Sequence, residues 1–268
     1  NFTENTFPID DKGKTVDPVA GKWNELRGFP VFPAITTYFH HLDESSIEGC
    51  AHWWNIETSE DISSSPIVLL DTVTMKQVPH WVELDHSSKK AEVTGKHALL
   101  IWPSTALEFD RRYVVAIKPL RNKHGLEIEP SVAFKNLRDK VGTSDRHGRF
   151  DSSIFSVLES VGVSRRNLLL AWDFTTNTKS DTTGRLVAAR DDARKRVGED
   201  GPEYVIDSVT YNMSALIAKQ IKGRFKMPTY LNTHKPIPSA RLVLDHSNLP
   251  VFQSYQWYEF EVLVPTAF

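Results

Sequence analysis

The sequence has little of three features that would each indicate a class of protein. Cys50 is the one cysteine among 268 residues, which excludes an internal disulfide framework and any metal site built from several cysteines. Acidic and basic residues nearly cancel, leaving a net charge of -2, which argues against a general nucleic-acid surface. The apolar runs, such as 98–102 and 168–172, are far shorter than the ~20 residues that cross a bilayer, so no transmembrane segment is expected.

Residues that form apolar cores, by contrast, are abundant. Seven tryptophans and fourteen phenylalanines supply large side chains, and such a composition excludes low-complexity disorder. At ~150 residues per domain, the length predicts roughly two domains. We therefore expect a soluble, globular chain with a substantial core.

Two features of the sequence, its sequons and its ends, concern how the chain is processed. The sequons are weak evidence for the secretory route. Asn1 and Asn212 each begin an Asn-x-Ser/Thr sequon and are the candidate glycosylation sites. The chain starts at Asn1 without Met, and it stops at Phe268 soon after the strand-like run 260–264. Both ends lead us to expect a piece of a longer protein.

The first half of the chain is predicted to be β. Residues 1–60 mix prolines and aromatic residues without sustained periodicity, which predicts an extended segment that packs on the next domain. Strand signals at 66–70, 78–85, 98–103 and 113–117 are separated by turn residues. Within 78–85 the residues alternate, with His80 and Val82 on one face and Trp81 on the other. This spacing predicts an antiparallel β-sandwich over 61–140.

The remainder, 141–268, is predicted to be a mixed helix and strand extension. One helix is expected to begin at Asp151 or Ser152 and to stop at Gly162. A buried strand at 168–176 precedes a second helix, which is expected to start near Thr182 or Thr183 and to end at Gly198. Further strands are predicted within 205–211, 215–225 and 258–264. The fold class is therefore mainly β with an α+β part.

The residues suited to nucleophilic catalysis do not form a recognisable set. The motif Gly-x-Ser-x-Gly places a serine on a strained turn between strand and helix. Ser144 and Ser164 each follow a glycine by two positions, but neither has the second glycine. Ser164 is better explained as a cap for a short helical turn, and Cys50 as a buried, unreactive thiol. We therefore expect no catalytic residue in this chain.

Metal binding is also not expected, although there are ten histidines. Neither His-x-His nor His-x-x-x-His occurs, and His40 and His41 would point to opposite faces of a strand. The best remaining cluster is His80 with Asp85 and His86, which we interpret as turn residues at the rim of the sandwich. The sequence predicts neither a metal nor a cofactor.

Two groups of residues remain as candidates for a site. Trp53, Trp54 and Trp81 offer aromatic faces on which a sugar could stack, although packing in a core or a domain interface is the commoner role of large aromatic residues. Asp173 lies within an otherwise apolar strand, where an unpaired charge costs stability. We therefore expect Asp173 to anchor a structural network of polar side chains, with Arg190 or with the neighbouring pair Arg165 and Arg166 as its partner.

Three blocks of the chain, taken together, resemble the N-terminal Ig-like region of large secreted proteins related to bacterial extracellular lipases. The first runs from Pro66 to Arg121 and contains Trp81-Val82-Glu83-Leu84-Asp85 and Arg112-Tyr113-Val114-Val115-Ala116-Ile117. The second contains Leu170-Ala171-Trp172-Asp173-Phe174-Thr175-Thr176 and Arg190-Asp191-Asp192-Ala193. The third comprises 221–231 and 260–265.

The resemblance implies an Ig-like sandwich, a secreted location and a partner. That partner is an α/β-hydrolase domain with the serine nucleophile, which lies after Phe268 in the same precursor or on a cleaved partner chain. No catalytic residue of that domain falls within this chain. The expected function is the non-catalytic N-terminal part of a secreted lipase- or esterase-like hydrolase, which shapes or shields the substrate entrance or binds a surface. The alternative is a free-standing Ig-like module that binds carbohydrate or mediates adhesion.

Overall fold

The structure, a computed structural model, describes residues 27–40, 42–87, 97–233 and 240–266. It confirms the mainly-β class, with 33% strand and 24% helix, and the strands form three antiparallel sheets. The chain divides into two compact units, of which the first ends at Thr178 and the second begins at Lys179. The predicted boundaries after residues 60 and 140 both fall inside the first unit.

The strands are β1 (Ile35–Tyr38), β2 (Ile67–Asp71), β3 (Lys76–Gln77), β4 (His80–Leu84), β5 (Ala98–Pro103), β6 (Arg112–Ile117), β7 (Leu170–Thr175), β8 (Tyr204–Tyr211), β9 (Ile217–Thr229) and β10 (Ser254–Pro265). The α-helices are α1 (Val132–Asp139), α2 (Arg146–Phe150), α3 (Ser156–Ser160) and α4 (Lys179–Val197). A π-helical turn, Asp151–Phe155, joins α2 to α3.

The first unit contains two sheets that face each other across one core. Their strand orders are β1-β5-β4 and β3-β2-β6-β7. Because successive side chains of a strand point to opposite faces, alternate residues of each sheet meet in the middle. Val82 and Ile101 from the first sheet join Leu69 and Val115 from the second in a single buried cluster.

The opposite face of the four-stranded sheet is covered by helices. Val68 and Val114 on this face pack in a second buried cluster with Phe134 of α1 and with Ile154 and Leu158 of the α2–α3 segment. Strands β2 and β6 are thus buried on both faces, which explains why their sequences read as continuous apolar runs. The first unit therefore has three layers, two of sheet and one of helix.

The sandwich differs from the immunoglobulin constant-type order in the place of one strand. In that order the second strand lies between the first and the fifth. Here β2 lies between β3 and β6, in the other sheet.

The second unit contains α4 and a sheet of order β10-β9-β8.

Both predicted helix stops are confirmed, because Gly162 and Gly198 have φ values of +83° and +79°. The predicted helix starts are late. The first helical segment already begins at Arg146, since the π turn continues the helical path through Asp151, and α4 begins at Lys179 rather than near Thr182.

Candidate functional site

The surroundings of the cysteine and the two serines considered as nucleophiles do not suit catalysis. Cys50 is buried, and its burial raises the pKa of the thiol to about 12, so it stays protonated at neutral pH. The Ser144 hydroxyl accepts the backbone N–H of Arg146 at 3.2 Å. Ser164 does precede the 3₁₀ turn Arg165–Asn167, but its side chain makes no capping hydrogen bond. Within the described ranges neither serine hydroxyl is hydrogen-bonded to a histidine side chain.

The histidines weighed as metal ligands are separated. His80 is not a turn residue at the rim, as expected, but is buried in β4. Its Nδ1 lies 2.9 Å from the Val78 carbonyl, and burial lowers its pKa. His86 lies beyond the end of that strand, 2.7 Å from a Glu44 oxygen, and its ring packs against His97. Across the described ranges no three His, Cys, Asp or Glu side chains are placed to hold a metal ion. His41 lies outside the described residues.

Asp173 anchors an ionic network, but with partners that the sequence did not indicate. Its carboxylate is 8% exposed and lies 2.6 Å from Arg149 Nη2 and 3.3 Å from Arg112 Nε. Arg112 also donates to the Ser153 carbonyl. The network thus joins β6 and β7 to the helical layer.

The arginines expected to pair with Asp173 have other partners. Arg165 lies 2.7 Å from Asp151, and hydrogen bonds from Lys140 and then Arg165 hold the pKa of Asp151 below its usual value. Arg190, in the second unit, lies 2.7 Å from the adjacent Asp191. Asp173 pairs with Arg112 and Arg149, on a neighbouring strand and a packed helix, and such partners depend on strand register, which sequence spacing does not show.

Basic residues line the broad cleft, about 490 Å³, at the end of α1. Arg138 and Lys140 lie at the helix C-terminus, where cations are favourable. Asp139 binds Arg138, and Asp151 binds Lys140 and Arg165. Two carboxylates thus pair with three of the cations at the cleft, and we attribute these side chains to helix termination and packing.

The three candidate tryptophans belong to one edge of the first sheet. Trp81 lies in β4, between the buried His80 and Val82. The Val82 N–H donates to the carbonyl of Ala51 at 2.8 Å, so the segment that carries Trp53 and Trp54 runs beside the same strand. The predicted alternation of β4 is confirmed, with Trp81 on the outer face.

Trp81 has a neighbour that the sequence analysis missed. In the β4–β5 register Trp81 is opposite Trp102, and their indole rings stack at 6.1 Å with an interplanar angle of 15°. The Trp102 indole N–H donates to a Glu83 oxygen at 2.8 Å, which fixes the orientation of the ring. Cross-strand pairing is the signal that could have found Trp102, since aromatic pairs favour directly opposed positions.

Trp53 and Trp54 form the most exposed aromatic pair of this surface. Their exposed fractions are 67% and 64%. The rings meet at 88° with centroids 5.4 Å apart, and one face of Trp54 is stacked on His52 at 4.6 Å. Two perpendicular indole planes therefore meet at a corner. We refer to His52, Trp53, Trp54, Trp81 and Trp102 as the tryptophan surface.

Apolar clefts also lie along the open side of the sandwich, between β1 and β7. One cleft of about 370 Å³ is lined by Phe29, Ile35, Trp172 and other residues, and the Phe29 ring packs edge-on against Phe174. Phe29 is held there by backbone hydrogen bonds to Thr175 and Asn177. The polar side chains that line this cleft are Thr36 and Asp173, and the Asp173 carboxylate is already paired with Arg112 and Arg149. We therefore take the tryptophan surface as the candidate site.

The candidate glycosylation sites differ in what the structure describes. Asn212 is exposed between β8 and β9, with φ +52°, and its backbone N–H donates to the Ala218 carbonyl. Asn1 lies outside the described residues. Modification of either asparagine stays a prediction.

Comparison with known proteins gave no relative. No family model, no curated protein and no solved structure matches this chain. Among the described residues, no helix is both long enough and apolar enough to cross a membrane.

Proposed function

We propose that this chain is a non-catalytic binding region whose tryptophan surface takes carbohydrate rings. The observation that carries the proposal is the perpendicular pair of Trp53 and Trp54, about two-thirds exposed next to the edge strand that bears Trp81. Large aromatic side chains exposed together mark interaction sites, because a folded chain ordinarily buries them.

The arrangement suits a sugar better than a purely apolar ligand. A pyranose presents C–H groups on its faces and hydroxyl groups at its rim. Trp53 and Trp54 supply flat apolar planes, and His52 and Asn55 supply polar groups beside them. The Asn55 Oδ1 accepts the backbone N–H of His52 at 2.7 Å. Glu83, held by Trp102, adds an acceptor near Trp81.

A second proposal rests on the resemblance of three blocks of the chain to secreted proteins related to bacterial lipases. We propose that the chain is the N-terminal, Ig-like part of a secreted lipase- or esterase-like hydrolase, and that it binds a surface or ligand for that enzyme. The buried, protonated Cys50 and the isolated Ser144 and Ser164 support a non-catalytic role. The sandwich in the first unit supports an Ig-related class, with β2 moved to the other sheet.

Binding to oligosaccharides tests the first proposal. We expect the full chain to bind at least one glycan on an array, and Trp53→Ala with Trp54→Ala to weaken binding by about tenfold or more, equivalent to about 1.4 kcal/mol. Trp257→Ala is the matched control, because Trp257 is 41% exposed in the second unit. Absence of binding to every glycan, or equal losses in the control, would overturn the proposal.

The coding sequence of the source protein tests the second proposal. We expect a Gly-x-Ser-x-Gly motif downstream of Phe268 and no ester turnover by the chain itself. An open reading frame without that motif, or hydrolysis by the purified chain, would contradict the assignment.

A further inference from the structure

The sheet of the second unit has two faces of opposite character. Cross-strand neighbours in β8, β9 and β10 form rows, and the rows of one face carry ion pairs such as Arg224–Asp207 at 3.0 Å. The other face, the apolar face, consists of four rows: Tyr204–Phe225–Tyr258, Ile206–Gly223–Phe260, Val209–Ile221–Val262 and Tyr211–Lys219–Val264. A bulge at Asp207 keeps both Ile206 and Val209 on this face.

The apolar face is partly exposed although its side chains are large: its β8 residues and Val262 are exposed, and its other side chains are half-buried. Tyr204 and Tyr211 are 66% and 65% exposed, and Ile206, Val209 and Val262 lie between 40% and 46%. The buried residues in the described part of the second unit are Gly223, Pro228, Thr229 and Tyr230. A sheet with one apolar face is stable when that face packs on another layer.

The centre of the apolar face is flat. A Cβ on Gly223 would lie 2.6 Å from the ring of Phe260 and 2.4 Å from the Val205 carbonyl oxygen. The Phe260 ring therefore lies across the glycine, where a larger residue would push it outward. An apolar face with a glycine at its centre suits face-to-face packing of two sheets, which lie about 10 Å apart.

We propose that the apolar face binds the same face of a second copy of this chain, across a two-fold axis. Lys219 is the charged residue of the four rows, and it lies in the end row, with its ammonium 5.5 Å from the Tyr211 ring. An axis that runs along the strands would set the two Lys219 side chains against each other. An axis across the strands instead brings each Lys219 onto the opposite end row of the second copy, Tyr204–Phe225–Tyr258.

The charge arrangement therefore matches this one symmetric pairing. Each ammonium meets aromatic faces and phenol hydroxyls, where cations are attracted, and the two middle rows of one copy meet the two middle rows of the other. Three strands about 4.8 Å apart and about eight residues long give a footprint on the order of 400 Å². Because stable interfaces bury ~800 Å² per partner, we expect a reversible dimer.

Sedimentation velocity of the full chain over a range of concentrations tests the proposal. We expect the mass to rise from 30.4 kDa toward twice that value as concentration increases. Val209→Glu places a charge in a middle row and should raise the dissociation constant at least about tenfold, because the charge would be desolvated in the interface. Val205→Glu is the control, since Val205 has nearly the same exposure, 41% against 40%, and lies on the charged face of the same strand.

A monomer at every concentration, or equal weakening by the two variants, would overturn the proposal. Circular dichroism of each variant checks that the chain is folded. If Val209→Glu loses its β signal, Val262→Lys replaces it, because Val262 lies in the same row on the opposite edge strand. A folded Val262→Lys variant that dimerises like the unmodified chain would also overturn the proposal.

Discussion

The two units of this chain differ in how far their strands bury apolar side chains. In the first unit, apolar strands β2 and β6 are enclosed between a second sheet and a layer of helices, and residues such as Leu69 and Val114 are fully buried. In the second unit, apolar residues alternate with polar ones along the strands, and the apolar face is left partly exposed. The first unit therefore carries its own core, whereas the second has a surface that is completed by a partner.

This difference separates stability from binding. Substitutions in the first unit act on free energies of unfolding, because its side chains are packed on all sides. Substitutions of the exposed side chains on the apolar face of the second unit act on association, whereas the buried Gly223 at its centre contributes to stability. The following predictions test that contrast, in order of decreasing effect.

The largest effect is expected from the same substitution made in each unit. Leu69→Ala removes a fully buried side chain between the two sheets and should lower the free energy of unfolding by about 2–5 kcal/mol. Leu186→Ala, at a site that is 75% exposed on α4, should change it by less than about 0.5 kcal/mol. Urea denaturation measures both, and similar values for the two variants would contradict the contrast.

The ion pairs of the two units are expected to differ next. Asp173→Asn removes the carboxylate that holds Arg112 and Arg149, and should cost about 1.5–3 kcal/mol because the acceptor is nearly buried. Asp191→Asn removes the exposed partner of Arg190 and should cost between about 0 and 1 kcal/mol. Urea denaturation measures both variants, and unfolding curves that coincide would contradict a structural role of Asp173.

A glycine substitution probes the flat centre of the second sheet. Gly223→Ala forces a methyl group against the Phe260 ring and should destabilise the sheet by about 1–3 kcal/mol. Gly148→Ala, where no atom lies near the added methyl group in α2, should stabilise by roughly 0.5–1 kcal/mol. Thermal melting of both variants shows whether their effects have opposite signs, and a stabilising Gly223→Ala would contradict the close packing.

The smallest effect is a pH dependence that belongs to the first unit. Burial lowers the pKa of His80, so the folded state favours the neutral ring. The stability that follows is present above the unfolded pKa of ~6.5 and is lost as pH falls below it, by at most ~1.4 kcal/mol per pH unit. His80→Leu should flatten the profile between pH 6.5 and 5, whereas His124→Gln, in an exposed turn, should not. Identical profiles for the two variants would contradict this account.

Local patterns predicted much of the fold because they depend on residues that are close together in the sequence. The alternation in β4 predicted that His80 and Val82 point inward and Trp81 outward, and the two glycines predicted both helix stops. The short strand β3 was missed, since Lys76 and Gln77 carry no strand pattern and pair only because β2 lies beside them.

The candidate site could be predicted only in part. Composition and alternation indicated Trp53, Trp54 and Trp81, but the stack of Trp81 on Trp102 depends on the β4–β5 register. The exposure of the apolar face was likewise not predictable. Its strands read as ordinary half-buried strands, and whether a layer covers them depends on how distant segments fold.

Hydrogen exchange of the full chain at low and high protein concentration tests the central contrast most directly. We predict that the amides of β2 and β6 are protected to the same degree at both concentrations, because their layers lie within one chain. Those of β8 and β10 should exchange faster at low concentration and gain protection as concentration rises. Protection of β8 and β10 that equals that of β2 and β6 and does not depend on concentration would contradict the account.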